Sequence, residues 1–234
     1  MMLLGSRKLA AEMFGTFAVV FAGTGAIVIN ELSGGAVSHV GIAFTFGLIV
    51  LAMIYALGDV SGCHLNPAVT FGFFLAHRLE RRWVVPYILS QLLGALCASL
   101  ALRMMFPLHS TLGATIPAGS SLQSFVLEVI LTLILMFVIL SVSAGSKEKG
   151  ILAGVAVGAV ITLEALFAGP ISGASMNPAR SLAPAIVSLR FDSLWIYLTA
   201  PVLGAGMSVL VCRCIQEPGC CCAASSLSEA GSVK

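Results

Sequence analysis

The chain has 234 residues, of which 59% are hydrophobic and only 9% charged, with a formal net charge of +2. A soluble domain carries roughly 25% charged residues because its surface faces water. The shortage here excludes a water-soluble globule and makes lipid the solvent for most of the surface, and so small a net charge gives no footing for a nucleic-acid partner.

From the N-terminus, Arg7 and Lys8 precede an apolar run that continues to Ile29 without a small-residue cleavage site. It therefore reads as a retained first span rather than a removable leader. Stretches long and apolar enough to cross a bilayer fall at about 9–29, 38–57, 83–103, 122–143, 150–169 and 193–213. In lipid each must be a helix, because nothing else satisfies its backbone polar groups. Two shorter apolar segments, Asn66–Ala76 and Asn177–Leu189, cannot cross. They are expected to be interfacial or to dip into the membrane as half-helices.

Charge sets the expected orientation. Arg7, Lys8, Arg78, Arg81, Arg82, Lys147, Lys149 and Arg213 fall on one side of this arrangement, and Arg103 and Arg190, plus Arg180 inside the second short segment, on the other. The positive-inside rule then puts both termini in the cytoplasm of a multi-pass cell-membrane protein.

The chain repeats itself. Ser61-Gly62 followed by Asn66-Pro67-Ala68 recurs as Ser172-Gly173 followed by Asn177-Pro178-Ala179. Leu93-Gly94-Ala95 recurs as Leu203-Gly204-Ala205, and Glu12 with Thr16 as Glu128 with Thr132. The repeats cover about 7–104 and 121–214, within one channel domain at 1–215 that precedes a Cys/Ser-rich cytoplasmic tail at 216–234. Three spans per repeat is an odd number, so the second repeat is inverted and equivalent features approach the midplane from opposite faces.

Asn is a favoured N-cap and Pro a favoured first helical residue, so each Asn-Pro-Ala reads as a helix start. A half-helix of about 11 residues rises about 16 Å, and two of them meet near the middle of a core about 30 Å thick. Their N-termini, each with roughly half a positive charge, would favour a water oxygen and disfavour cations and protons.

With these residues in view, SGCHLNPAVT and SGASMNPARS resemble the paired signature of the aquaporin, or major intrinsic protein, family. The resemblance runs from Glu12 through Gly204. It implies an all-α membrane fold of six transmembrane helices plus two re-entrant half-helices, assembled as a homotetramer with one pore per subunit. Carried over to this chain, it puts Asn66, Pro67, Ala68, Asn177, Pro178 and Ala179 at the pore midplane. It puts a selectivity filter at Phe46, Ala165, Ala174 and Arg180. The stretch LFAGPISGASMNPARSL is most similar to the nodulin-26-like branch and its bacterial relatives, implying passage of water, glycerol, urea, and boric or arsenous acid. Water-selective members place His where this chain has Ala165, and glycerol-type members place Asp where it has Ser181. Glu164 and Asp59 also depart from the branch, and the sequence leaves open whether Glu164 faces a helix or the pore wall.

Glu12 and Glu128 lie within spans, where charge is costly. A proton relay is one reading. Their symmetric placement favours a structural one, each carboxylate accepting hydrogen bonds from a re-entrant loop. His64 is expected to anchor the first loop.

His39, His64, His77 and His109 show no metal-ligand spacing, so neither a metal nor another cofactor is expected. Of the seven cysteines, five crowd between Cys212 and Cys222 and are read as reduced, lipidatable thiols on a flexible tail. A secondary transporter would share the inverted repeat, but no intramembrane Asp or Lys pair supplies a coupling site. The short loops offer no adhesive domain, and nothing suggests an enzyme. A strictly water-selective pore is the alternative within the family.

Overall fold

The computed structural model describes residues 2–144 and 151–216. Among them are eight helices and no strand. Six are long and apolar enough to span a membrane. These are α1 (Met2–Leu32), α2 (Ser38–Ser61), α4 (Arg81–Met105), α5 (Ser121–Val142), α6 (Ala153–Ser172) and α8 (Leu194–Ile215). The other two are the half-helices α3 (Pro67–Leu75) and α7 (Pro178–Ser188).

The expected spans are all present, with ends that move for identifiable reasons. Helix α1 begins at Met2 rather than near residue 9. Lys8 lies 5.6 Å from the centre of the Trp83 ring, a cation–π contact that ties the polar first turns to α4. Helices α2 and α6 both run past their apolar stretches to a Ser. Each stops at a left-handed glycine, Gly62 (φ 86°) and Gly173 (φ 84°), a conformation that disfavours any residue with a Cβ.

The two halves pack by the same device. A Cβ built on Gly94 of α4 would stand 2.1 Å from the carbonyl oxygen of Met13 on α1, and one on Gly204 of α8 would stand 2.3 Å from that of Val129 on α5. Backbone therefore lies against backbone where α4 crosses α1 and where α8 crosses α5, as small residues permit in membrane bundles. On the outside of the bundle Phe44, Leu48, Leu93, Leu163 and Leu203 are exposed, the inverse of a soluble surface.

The cysteines correct one expectation. Cys212 and Cys214 lie on α8 rather than on a tail, and Cys212 is disulfide-bonded, so the reduced-thiol reading fails there. A helical register, not a loose tail, sets its position. The tail at 217–234, with Cys220, Cys221 and Cys222, lies outside the described residues, as do Lys147 and Lys149.

Candidate functional site: a lumen between two half-helices

The half-helices start as the sequence predicts. Asn66 Oδ1 accepts from the Ala68 N–H at 2.8 Å, and Asn177 Oδ1 from those of Ala179 at 3.0 Å and Arg180 at 3.3 Å. Pro67 and Pro178 occupy the first helical position, where a missing N–H costs nothing. The other end of each amide crosses to the opposite loop. Asn66 Nδ2 donates to the Met176 carbonyl at 2.7 Å, and Asn177 Nδ2 to the Leu65 carbonyl at 2.9 Å. Both half-helix N-termini thus meet inside the protein, joined by reciprocal bonds.

Those loops are strained, and the buried acids hold them. Cys63 and Leu65 in the first loop, and Ala174 and Met176 in the second, adopt positive φ of 51°, 52°, 42° and 55°. Non-glycine residues rarely do so without compensation. Glu12 Oε1 accepts from Ser61 Oγ at 2.7 Å and the His64 N–H at 2.9 Å, while Oε2 accepts from the Leu65 N–H at 2.8 Å. Glu128 repeats the pattern with Ser172 Oγ and the N–H groups of Ser175 and Met176, all at 2.8 Å. Both side chains are fully buried. A carboxylate with three or four donors is how such a group exists away from water.

Two tyrosines complete this support, and sequence reading passed over them. Tyr87 Oη donates to the Ser61 carbonyl at 2.8 Å, and Tyr197 Oη to the Ser172 carbonyl at 2.6 Å. The signal was available, because Tyr87 and Tyr197 share the register that relates Leu93 to Leu203. Gln91 was also missed. Its Nε2 donates to Glu12 Oε2 at 2.8 Å and to Thr70 Oγ1 at 2.9 Å. No repeat flags it, since Pro201 stands in the equivalent place of the second half.

A lumen lies at this centre. Phe46, Ala165, Ala174 and Arg180 all line it, as do Asn66, Asn177, His64 and Cys63, and it continues to Val142, Ser143 and Ala153. Pro67, Ala68, Pro178 and Ala179 are buried behind the wall. The structure therefore brings together every residue of the expected constriction. Arg180 Cζ lies 5.1 Å from the centre of the Phe46 ring, and Nη1 donates to the Gly113 carbonyl at 3.0 Å. Arg180 Nε has no hydrogen-bond partner among the described residues. The Phe46 ring packs on Gly23, where a Cβ would stand 2.1 Å from it.

The loop carrying Gly113 is tied to α7 by Thr115 Oγ1, which donates to Ser181 Oγ at 2.8 Å. Ser181 thus serves this loop. Glu164 is buried and is not among the residues lining this lumen. Asp59 is exposed near the end of α2.

His64 stacks on Phe73 with ring centres 4.5 Å apart and meets Tyr87 edge-on at 5.2 Å. Its Nδ1 lies 3.2 Å from Thr70 Oγ1. Burial holds its imidazole below the ordinary histidine value. Burial also pushes the Cys63 thiol well above its ordinary value. No cluster of three or more His, Cys, Asp or Glu side chains with metal-binding geometry occurs among the described residues.

Comparison with known proteins agrees with this architecture. The family model described as major intrinsic protein matches residues 2–212. Aquaporin NIP1-1 of Zea mays is 49% identical over 200 residues, covering 85% of this chain and 71% of its own length. Aquaporin NIP1-4 of Oryza sativa subsp. japonica is 50% identical over 214 residues, covering 91% and 78%. The X-ray structure of the aquaglyceroporin from Plasmodium falciparum matches with a TM-score of 0.79 at 25% identity, covering 89% of this chain and 94% of that one. Six spanning helices, two half-helices meeting at paired Asn residues and these likenesses lead to one conclusion: the chain belongs to the major intrinsic protein family, on its nodulin-26-like branch, and is a membrane channel for water and small neutral solutes.

Proposed function

We propose that the lumen is the conduction path, that Phe46, Ala165, Ala174 and Arg180 form its constriction, and that glycerol, urea, and boric or arsenous acid pass along with water. The observation that carries the wider substrate range is the pair Ala165 and Ala174. Both line the lumen that Arg180 and Phe46 also line, and neither extends beyond a methyl group. Arg180 supplies donors to a solute oxygen and repels cations, while Phe46 gives an apolar wall for carbon-bearing solutes.

Protons and ions are excluded at the midplane. There the N-termini of α3 and α7 and the Asn66 and Asn177 amides present partial positive charge and donors. The channel domain occupies 1–215, with both termini in the cytoplasm and the chain in the cell membrane. A homotetramer fits α2, which buries only Ala43, Gly47 and Ser61 within its own chain.

The test is stopped-flow permeability of proteoliposomes to water, glycerol, urea and boric acid. Solute fluxes well above those of empty liposomes support the reading. A protein that passes water and excludes the other three is a strictly water-selective channel, and the wider range fails.

A further inference from the structure

The segment between α4 and α5, residues 106–120, joins the two repeats and so has no counterpart in either. Its backbone is forced into a narrow turn. Leu112 and Gly113 are consecutive residues with positive φ, 52° and 73°, and Leu112 is a fully buried non-glycine residue. Such a residue keeps that conformation where its surroundings hold it there. The turn presses on α1, where a Cβ on Gly113 would stand 2.9 Å from Thr24 Cβ and 3.1 Å from the Thr24 carbonyl oxygen. What it presents is the Gly113 carbonyl, which accepts from Arg180 Nη1 at 3.0 Å.

His109 holds the arm that leads into this turn. Its Nδ1 lies 3.1 Å from the backbone nitrogen of Leu112 and 3.4 Å from that of Thr111. A backbone N–H can donate and cannot accept, so Nδ1 is the acceptor and the ring carries a hydrogen on Nε2. Nε2 in turn faces Glu31 Oε2 at 3.1 Å, at the end of α1. The His109 side chain is 4% exposed and that of Glu31 53%, so a surface carboxylate orients a buried ring. Arg103 grips the same residue from α4, Nη1 donating to the His109 carbonyl at 2.8 Å. Among the described residues, the imidazole is the partner of the two N–H groups that immediately precede Gly113.

We propose that Glu31 and His109 are positioning residues for the constriction, which act on Arg180 through the Gly113 carbonyl and so set the proportion in which large and small solutes pass. This rests on the reading of Phe46, Ala165, Ala174 and Arg180 as the constriction. Neither Glu31 nor His109 is among the residues lining the lumen. Arg180 Nε already has no hydrogen-bond partner among the described residues. A guanidinium that also loses the Gly113 carbonyl turns toward the acceptors that water in the lumen supplies. The passage then narrows, and glycerol is hindered more than water.

The experiment is stopped-flow measurement of glycerol and water permeability in proteoliposomes holding the full chain. Glu31→Ala is the main variant, because a half-exposed side chain can be removed without opening a core, and His109→Ala is its companion. Each should lower the glycerol-to-water ratio about tenfold, the discrimination that a small change in site width supplies. Water flux itself should fall about threefold, the worth of one hydrogen bond. Glu31→Gln keeps an oxygen for Nε2–H and should restore wild-type values, a recovery that does not follow if Glu31 matters through its charge alone. A ratio that stays or rises in Glu31→Ala, or a Glu31→Gln variant no better than Glu31→Ala, overturns the proposal. If His109→Ala does not fold, the two Glu31 variants decide. Ala165→His in the same liposomes tests the constriction by itself. A ratio that Ala165→His leaves unchanged overturns the constriction reading, and one that it shifts while Glu31→Ala does not overturns the positioning role alone. Should the wild type pass no glycerol, the wider substrate range fails, and the positioning role is judged on water flux, by its loss in Glu31→Ala and its recovery in Glu31→Gln.

Discussion

Asn66 and Asn177 each fasten the loop that carries the other: Asn66 Nδ2 bonds the carbonyl just before Asn177, and Asn177 Nδ2 bonds the carbonyl just before Asn66. The two re-entrant segments are thus one mechanical unit. Neither Asn can change without releasing the partner's loop.

Replacing either by Asp keeps the N-cap, since Asp caps as well as Asn. It removes the Nδ2 donor and sets a carboxylate against a carbonyl oxygen. Each Asp variant should lose about 1–3 kcal/mol of stability from the stranded buried acceptor, along with most of its water flux. Thermal unfolding in detergent and proteoliposome swelling measure the two effects. Normal water flux with intact proton exclusion in both variants would sink the midplane assignment.

The acids should prove unequal. Glu12 accepts four bonds, counting that from Gln91, and Glu128 accepts three. Gln at either place keeps one oxygen and points an amide at N–H groups. Glu12→Gln is expected to destabilise by about 3–5 kcal/mol, the cost of breaking a buried charged network, and Glu128→Gln by somewhat less. The yield of folded protein and its unfolding midpoint test this order. Equal or reversed losses mean that the Gln91 bond adds nothing.

Tyr87→Phe and Tyr197→Phe each remove one hydroxyl from a buried carbonyl. Each should cost about 1–2 kcal/mol, and the double variant about the sum, because the two sites lie in different halves and share no partner. A strong departure from additivity in unfolding midpoints would show that the halves do not behave independently.

Cys63 lines the lumen as a free thiol whose value is raised by burial and by the nearby Glu12 charge. A raised thiol value leaves little thiolate at pH 7, and the thiolate is the reactive form. Block by mercurials should therefore be weak at neutral pH, strengthen as pH rises, and disappear in Cys63→Ser. Strong block that survives the substitution refutes this assignment.

The constriction is tested at Ala165. Ala165→His narrows the lumen and adds a polar group on the wall it shares with Arg180. Water flux should largely persist while glycerol flux falls about ten- to two-hundredfold further, the discrimination that a small change in site width supplies. An unchanged glycerol-to-water ratio would remove Ala165 from the constriction.

Much of this was legible from local signals. Hydropathy marks the six spans because lipid acts on every residue of a helix alike, and Asn-Pro-Ala marks the half-helices because capping is local chemistry. The symmetric acids could be given their partners because Glu12 and Glu128 recur with the loops they serve. What escaped depends on contacts between distant segments. Gln91 looks like any polar residue in a span until Glu12 and Thr70 are placed beside it. The tie from Thr115 to Ser181, which positions the loop whose Gly113 carbonyl holds Arg180, leaves no periodic trace. Helix ends were misjudged at α1 because Lys8 and Trp83 extend order beyond the apolar run.

The glycine seams at Gly94 and Gly204 have a consequence for tolerance to change. At both, the nearest neighbour is main chain, which has no alternative rotamer to adopt. A single methyl there acts as a wedge whose displacement passes along entire helices, including α1 with Glu12 and α5 with Glu128. Positions that never meet a solute are thus among the least free to vary. The calibre of the passage is a property of how its outer staves are joined, as much as of the side chains that face inward.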